Sequence, residues 1–203
     1  MVDLSLLVKK LNNYQVKGNL LKWLVSFLSG REQRVRVSNS LSSPREVRSG
    51  VPQGSVLGPI LFLAYISDLQ MTNPETFSLL LKFVDDSKVL TRTSTEEDVL
   101  KLQEDLTQVY RWASDNHMSW NDLKFQVLRL GPNQELKDNT IIFSPDYGEV
   151  VEQKSSIKDL GILVDDSLSY GDQLSRAVSK ATQKSSWVLR TFSTRKVEFM
   201  RSM

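Results

Sequence analysis

The sequence predicts an α+β fold, an antiparallel sheet with helices packed on one face. Two observations carry this. Apolar runs at Leu79–Val84 and Ser87–Leu90 flank a tight polar turn, the pattern of a hairpin. A long amphipathic run follows, with Val99, Leu102, Leu106, Val109 and Ala113 at i, i+3, i+7, i+10 and i+14, which is one face of a helix. This stripe should cover the back of the sheet. With 203 residues, 40% of them apolar, the chain can build one sizeable core.

The elements follow in order. Leu4–Leu11 and Gly18–Leu28 read as helices, the second stopped by Gly30. Gln33–Ser38 and Arg45–Ser49 read as strands around the polar stretch 39–44. Pro59 suits the first position of a helix, and Ile60–Ile66 is apolar all round, as a buried helix should be. The amphipathic helix starts at Ser94 or Thr95, with Glu96, Glu97 and Asp98 in its first turn. Strands near Phe125–Leu130, Thr140–Phe143 and Ile157–Val164 come next, then a basic helix from Gly171 to Phe192.

Composition removes several chemistries. There is no cysteine, which excludes disulfides, zinc knuckles and thiol catalysis. The one histidine, His117, lies in a polar turn and reads as solvated, which argues against Ser-His-Asp hydrolysis or a histidine-rich metal site. The sequence holds no signal peptide and no membrane span, which places the expected location inside the cell, in cytoplasm or nucleus. Nothing in it speaks to oligomeric state.

The most informative stretch is Phe83-Val84-Asp85-Asp86. Carboxylates are unfavourable in strands, and a divalent cation would offset their cost, since Mg²⁺ takes one or two carboxylates together with phosphate oxygens. A solvated turn is the plain alternative. The chain carries its own control, because Val84-Asp85-Asp86-Ser87 recurs as Val164-Asp165-Asp166-Ser167, where an Asx-type turn into the next helix is expected. Context must separate the two. Upstream, Ser49–Pro59 packs three glycines and two prolines into eleven residues, fixing a backbone path that could bring N–H groups beside a metal-bound phosphate.

Ser49-Gly50-Val51-Pro52-Gln53-Gly54-Ser55 followed by Phe83-Val84-Asp85-Asp86 resembles the reverse transcriptases of non-LTR retrotransposons, especially the jockey and CR1-like lineages. The resemblance covers nearly the whole chain. Residues 20–35 are similar to the family's helix and strand before the glycine-rich loop. Trp112, Asn116, Met118, Asn121 and Lys124 match the pattern W-x3-N-x-M-x2-N-x2-K, and Lys158-Asp159-Leu160-Gly161-Ile162 is similar to the segment beneath the primer.

This resemblance implies a polymerase palm, with residues 1–170 as a partial palm and 171–203 as a basic helix leading towards a thumb. It implies template-directed nucleotidyl transfer with two Mg²⁺ (or Mn²⁺) ions, an RNA template, a DNA primer and deoxynucleoside triphosphates. By the same token Asp85 is a metal ligand and Asp86 the adjacent acid, with Phe83 behind the turn and Val84 facing the primer where alanine is commoner. Pro52, Gln53 and Gly54 would meet template and nucleotide, Leu160 and Gly161 the primer region. Lys124 would protonate or stabilise leaving pyrophosphate, although a surface lysine ahead of a strand is an equal reading.

The resemblance also implies that the fold is incomplete at its N-terminal side. The family's first metal-binding aspartate, in D-x-S-K-A-F-D-x-V, and its fingers would both precede Met1, with Val2 matching the motif's last valine. Asp3 lies beyond that motif and does not replace the acid. Metal binding is therefore expected to be weak and polymerase activity of these residues alone close to nil. The hairpin is also expected to present an exposed edge and limit solubility.

Charge is segregated. Residues 1–50 carry +6, residues 51–170 carry −9 and residues 171–203 carry +5, within a net charge of +2. Basic ends around an acidic middle suit a nucleic-acid cleft over a metal site. Arg34 and Arg36 share one strand face and are candidates for phosphate contacts. Three functions remain open: a part of an RNA-directed DNA polymerase, a decayed element copy without catalysis, and a non-catalytic nucleic-acid-binding remnant.

Overall fold

Asp3 precedes the first helix in the computed structural model, which describes residues 2–71, 78–131, 142–145 and 148–192. Its Oδ1 accepts from the Ser5 and Leu6 N–H groups at 2.8 and 3.0 Å, capping helix α1 (Leu4–Asn13). Such a cap stabilises a helix by about 1 kcal/mol. Helix α2 (Gly18–Leu28) packs on α1, as does helix α3 (Leu57–Ile66). Leu7, Leu11, Leu24, Leu28, Leu61 and Tyr65 form the centre of their shared core.

These elements belong to the first of two compact units, Met1–Lys124 with Thr140–Val150; the second is Phe125–Asn139 with Val151–Met203. Between α2 and α3 lies a two-stranded ribbon. Strands β1 (Glu32–Gln33) and β4 (Arg45–Glu46) pair, and β2 (Arg36–Val37) and β3 (Ser40–Leu41) pair beyond them. The turn is Ser38-Asn39, with Ser38 at φ +53°, and not the six-residue loop expected at 39–44. The polar residues after Asn39 return as strand because Ser42 exchanges bonds with Val35, its Oγ accepting from the Val35 N–H and its N–H donating to Val35 O.

Helix α3 differs from expectation. It buries Leu61, Tyr65 and Ile66 but leaves Ile60 58% and Leu63 52% exposed. A helix apolar on every face has no periodicity to say which side packs. Pro59 is its third residue, still within the first turn, where a missing N–H costs nothing. Strands β5 (Leu79–Phe83) and β6 (Asp86–Leu90) make the acidic hairpin. Helix α4 (Glu96–Asp115) then starts on a Thr95/Asp98 capping box and buries Val99, Leu106, Val109 and Ala113, as its period requires. The Gln103 amide pairs with both backbone groups of Phe143 at 2.9 Å. Of the strand expected at Thr140–Phe143, residues 140 and 141 lie outside the described residues, and Phe143 makes one bridge to Val150.

In the second unit β7 (Val127–Leu128) pairs in parallel with β8 (Gln153–Lys154). The single strand expected at Ile157–Val164 is a hairpin, β9 (Ser156–Asp159) and β10 (Ile162–Asp165). Leu160 and Gly161 turn it at φ +46° and +92°, the two-residue loop that matches strand twist. Helix α5 (Gly171–Thr191) follows. Helices and strands are thus mixed as expected, but the strands pair two by two, and no sheet among the described residues exceeds two strands. No described helix is long and apolar enough to cross a membrane.

Candidate active site at the acidic hairpin

The register Phe83↔Asp86 leaves Val84 and Asp85 as a two-residue turn. Val84 sits at φ +53°, a left-handed position that glycine usually fills and that a β-branched residue adopts only under strain of about 1–3 kcal/mol. Asp85 follows in the turn, and Asp86 opens β6 on the same face as its cross-strand partner Phe83. Both aspartates are exposed. Neither carboxylate has a hydrogen-bond or ion-pair partner among the described residues, so all their lone pairs remain available.

The hairpin is tied down from its other face. Lys82 Nζ donates to the carbonyl oxygens of Leu69, Ile66 and Ser67 at 2.8, 3.0 and 3.3 Å, closing the C-terminal end of α3. A cation there satisfies orphan carbonyls and meets the negative end of the helix dipole. Partial burial lowers the Lys82 pKa. The same helix end holds a second lysine, since Lys10 Nζ bonds Asp68 Oδ1 at 2.6 Å and Tyr65 O at 2.7 Å.

The repeated tetrapeptide behaves in the opposite way. Asp165 accepts five hydrogen bonds, from the N–H and Oγ of Ser167, the N–H and Oγ of Ser169, and the N–H of Tyr170. The Ser167 hydroxyl and the backbone N–H of Ser169 hold its carboxyl far below the usual carboxylate range. Asp165 is a staple between β10 and α5, as an Asx turn should be.

At the other end of α3, the glycine-rich loop is a rigid bend. Gly50 and Gly54 take φ +83° and +79°, and Gly58 is required for space, because a Cβ there would stand 2.7 Å from Pro52 O. Ser55 Oγ donates to Pro52 O at 2.7 Å and accepts from Gly58 N–H at 3.0 Å. Gly50 is pinned on both sides, its N–H to Val2 O and its carbonyl to Arg31 Nη2. Gln53 and Gly54 are left exposed on this frame, with Pro52 half-buried.

The W-x3-N-x-M residues close the end of α4. Trp112 and Tyr65 present their rings to Lys10 Nζ, each centroid 4.8 Å away. Tyr65 OH donates to Asn116 O at 2.5 Å, and the Asn116 amide donates to Trp112 O. His117, read as solvated, is exposed but paired, its Nδ1 3.0 Å from Asp3 Oδ2. That bond, with the cap bonds, lowers the Asp3 pKa. Lys124 ends the short 3₁₀ turn Asp122–Lys124 with its side chain exposed.

Arg34 and Arg36 lie on the exposed ribbon, and Leu160 and Gly161 form the tip of the β9–β10 hairpin in the second unit. Reading the sequence missed Lys82, Ser55 and Arg31. A lysine inside the apolar run 79–84 was the only available signal for the first, and a serine three residues before a glycine for the second.

Residues 1–164 match the family model for reverse transcriptase (RNA-dependent DNA polymerase). Over 183 residues the chain is 33% identical to the probable RNA-directed DNA polymerase from transposon BS of Drosophila melanogaster, covering 84% of this chain and 20% of that protein. It is 33% identical over 159 residues to the probable polymerase from transposon X-element of the same fly, covering 72% and 16%. Over 177 residues it is 29% identical to the RNA-directed DNA polymerase from mobile element jockey of D. melanogaster, covering 81% and 18%. The chain spans a fifth or less of the length of these relatives. It belongs to the reverse transcriptase (RNA-dependent DNA polymerase) family, with its likeness to the enzymes of non-LTR retrotransposons.

Proposed function

We propose that this chain supplies the acidic hairpin and template loop of an RNA-directed DNA polymerase, with Asp85 and Asp86 as the metal-binding carboxylates. The observation that carries the reading is the contrast between the twin tetrapeptides: Asp165 is saturated by five donors, whereas Asp85 and Asp86 have none among the described residues. Two adjacent free carboxylates fit Mg²⁺ or Mn²⁺ that shares its remaining positions with phosphate oxygens and water. When bound, two such ions would activate a primer hydroxyl and neutralise charge on the leaving pyrophosphate.

The chain's own residues do the positioning. Lys82 holds the hairpin against the end of α3, and the Val84 turn projects Asp85 beyond the strands. Gln53 and Gly54, carried on the pinned loop, would face template and incoming nucleotide. Leu160 and Gly161 would support the primer, and Lys124 would offer a proton or positive charge to pyrophosphate. Template RNA, primer DNA and deoxynucleoside triphosphates are the corresponding partners.

These residues alone are expected to be inactive or nearly so, because two adjacent carboxylates are few ligands for two six-coordinate Mg²⁺ ions. The exposed arginines Arg34 and Arg36 favour a second reading, a nucleic-acid-binding remnant without catalysis.

Two measurements test this. Mn²⁺ should broaden the amide NMR signals of Phe83–Ser87 and spare Val164–Ser167, and Asp85→Asn should remove the effect. Broadening at the second tetrapeptide instead would overturn the assignment. In Mg²⁺-dependent primer extension on RNA, the chain should not exceed its Asp85→Asn variant; extension that the variant abolishes would mean another carboxylate completes the site.

A further inference from the structure

We infer that the arginine ribbon, residues 31–48, is a sequence-independent arm that binds the phosphates of double-helical nucleic acid. The inference rests on the polymerase reading above and adds to it the surface and the form of the partner. Every residue from Glu32 to Glu46 is exposed, on both faces of the ribbon. A two-stranded ribbon bare on both sides is marginal in water by itself. It contributes nothing to the core and projects charge.

The charge is of one kind. Residues 31–48 hold five arginines, no lysine and two glutamates. Arg31 is spent on the fold, bonding Leu28 O and Gly50 O, and Arg48 pairs with Glu46. The guanidinium groups of Arg34 and Arg45 have no hydrogen-bond or ion-pair partner among the described residues. Arg36 uses only Nε, on Ser38 O at 3.2 Å. Three guanidinium forks are thus available, and the planar fork matches phosphate oxygens two at a time.

The form of the partner follows from what the ribbon lacks. It contains no Phe, Tyr or Trp on which unpaired bases could stack, so it does not suit single strands. Its registers Gln33↔Arg45 and Arg36↔Leu41 place two residues opposite three, a bulge that bends and twists the ribbon. A twisted two-stranded ribbon has the width to follow the groove and backbone of a duplex. With arginines as its available side chains, it would grip phosphates and read no bases.

The test is fluorescence anisotropy of a short labelled DNA duplex with the 203-residue chain, between 50 and 200 mM salt. The comparison is the variant Arg34→Gln/Arg36→Gln/Arg45→Gln, whose substitutions touch no core residue. Each lost phosphate contact should flatten the salt slope by about 0.9, so three reduce it by about 2.7 and shrink the salt-induced loss of affinity by ~40-fold across that range. The matched variant Arg176→Gln/Lys180→Gln/Lys184→Gln on α5 should leave the ribbon's share of the slope in place.

An unchanged slope in the ribbon variant, tighter binding to the single strand than to the duplex, or no duplex binding by the parent chain would each overturn the inference. Broadening by Mn²⁺ at Phe83–Ser87 does not depend on the ribbon, so failure of this arm and failure of the polymerase reading give different results.

Discussion

Replacing Lys82 by Met keeps the hydrocarbon stem and removes the ammonium that joins the acidic hairpin to α3. Three hydrogen bonds are lost, at 2.8, 3.0 and 3.3 Å. The longest goes to the exposed Ser67 carbonyl, which water can satisfy, so the two part-buried bonds dominate. A hydrogen bond from a charged donor contributes about 1.5–3 kcal/mol, and partial exposure of Lys82 roughly halves this, leaving about 2 kcal/mol for the pair. If that energy holds the hairpin down, its local opening should become ~30-fold more frequent. Native-state hydrogen exchange reads this directly. The ladder amides of Leu79–Phe83 and Asp86–Leu90 should exchange ~30-fold faster, while those buried in α1 and α2 change little. Lys158→Met, on the exposed face of β9, is the control. Unchanged exchange in the acidic hairpin would refute the claim that Lys82 positions Asp85 and Asp86, whatever happened to global stability.

Gly58→Ala places a Cβ 2.7 Å from Pro52 O, a backbone atom that cannot swing aside, and should cost about 1–3 kcal/mol while shifting the Gln53-Gly54 bend; a thermal midpoint equal to the parent's would count against that packing. Asp165 gives a pH prediction. Its carboxyl is held low in the folded chain, so its contribution is complete above the ordinary carboxylate pKa of about 3.9 and fades only as pH falls through the folded value. The Ser169 and Tyr170 amide shifts should therefore show no inflection between pH 7 and about 3. An inflection near 4 would mean the five-bond staple does not persist in solution.

What could be read from the sequence was what repeats locally. The α4 stripe marked the buried face of that helix, and of the two expected starts, Ser94 and Thr95, the cap is Thr95, with Asp98 completing the box. The bounds of α1, α2 and α5 lie within two residues of expectation, with α1 running on to Asn13, although neither α2 nor α5 has a side-chain cap. Where local pattern was uniform, position could not be read. Helix α3 is apolar on all sides, so the exposure of Ile60 and Leu63 had no signature. The run Ile157–Val164 looked like one strand since Leu160 fits a strand's composition, yet its positive φ beside Gly161 makes the turn. Lys82 shows the limit for the candidate site. Its role lies in carbonyls 13 to 16 residues earlier, and nothing in its own neighbourhood points there.

The two Val-Asp-Asp-Ser copies show why a motif of four residues does not define a site. After Ser167 come Leu168, at φ +56°, and Ser169 and Tyr170, whose N–H groups turn back onto Asp165. After Ser87 the chain continues extended as β6, paired with β5, and does not fold back onto Asp85. The carboxylates of the first copy stay free because the following residues are committed to a strand, and those residues pair because Leu79–Phe83 lies opposite. The availability of the acids is thus a property of the hairpin. The strained Val84 fits the same account, since only a turn of two residues puts Asp85 at the tip and Asp86 in the first ladder position beside Phe83.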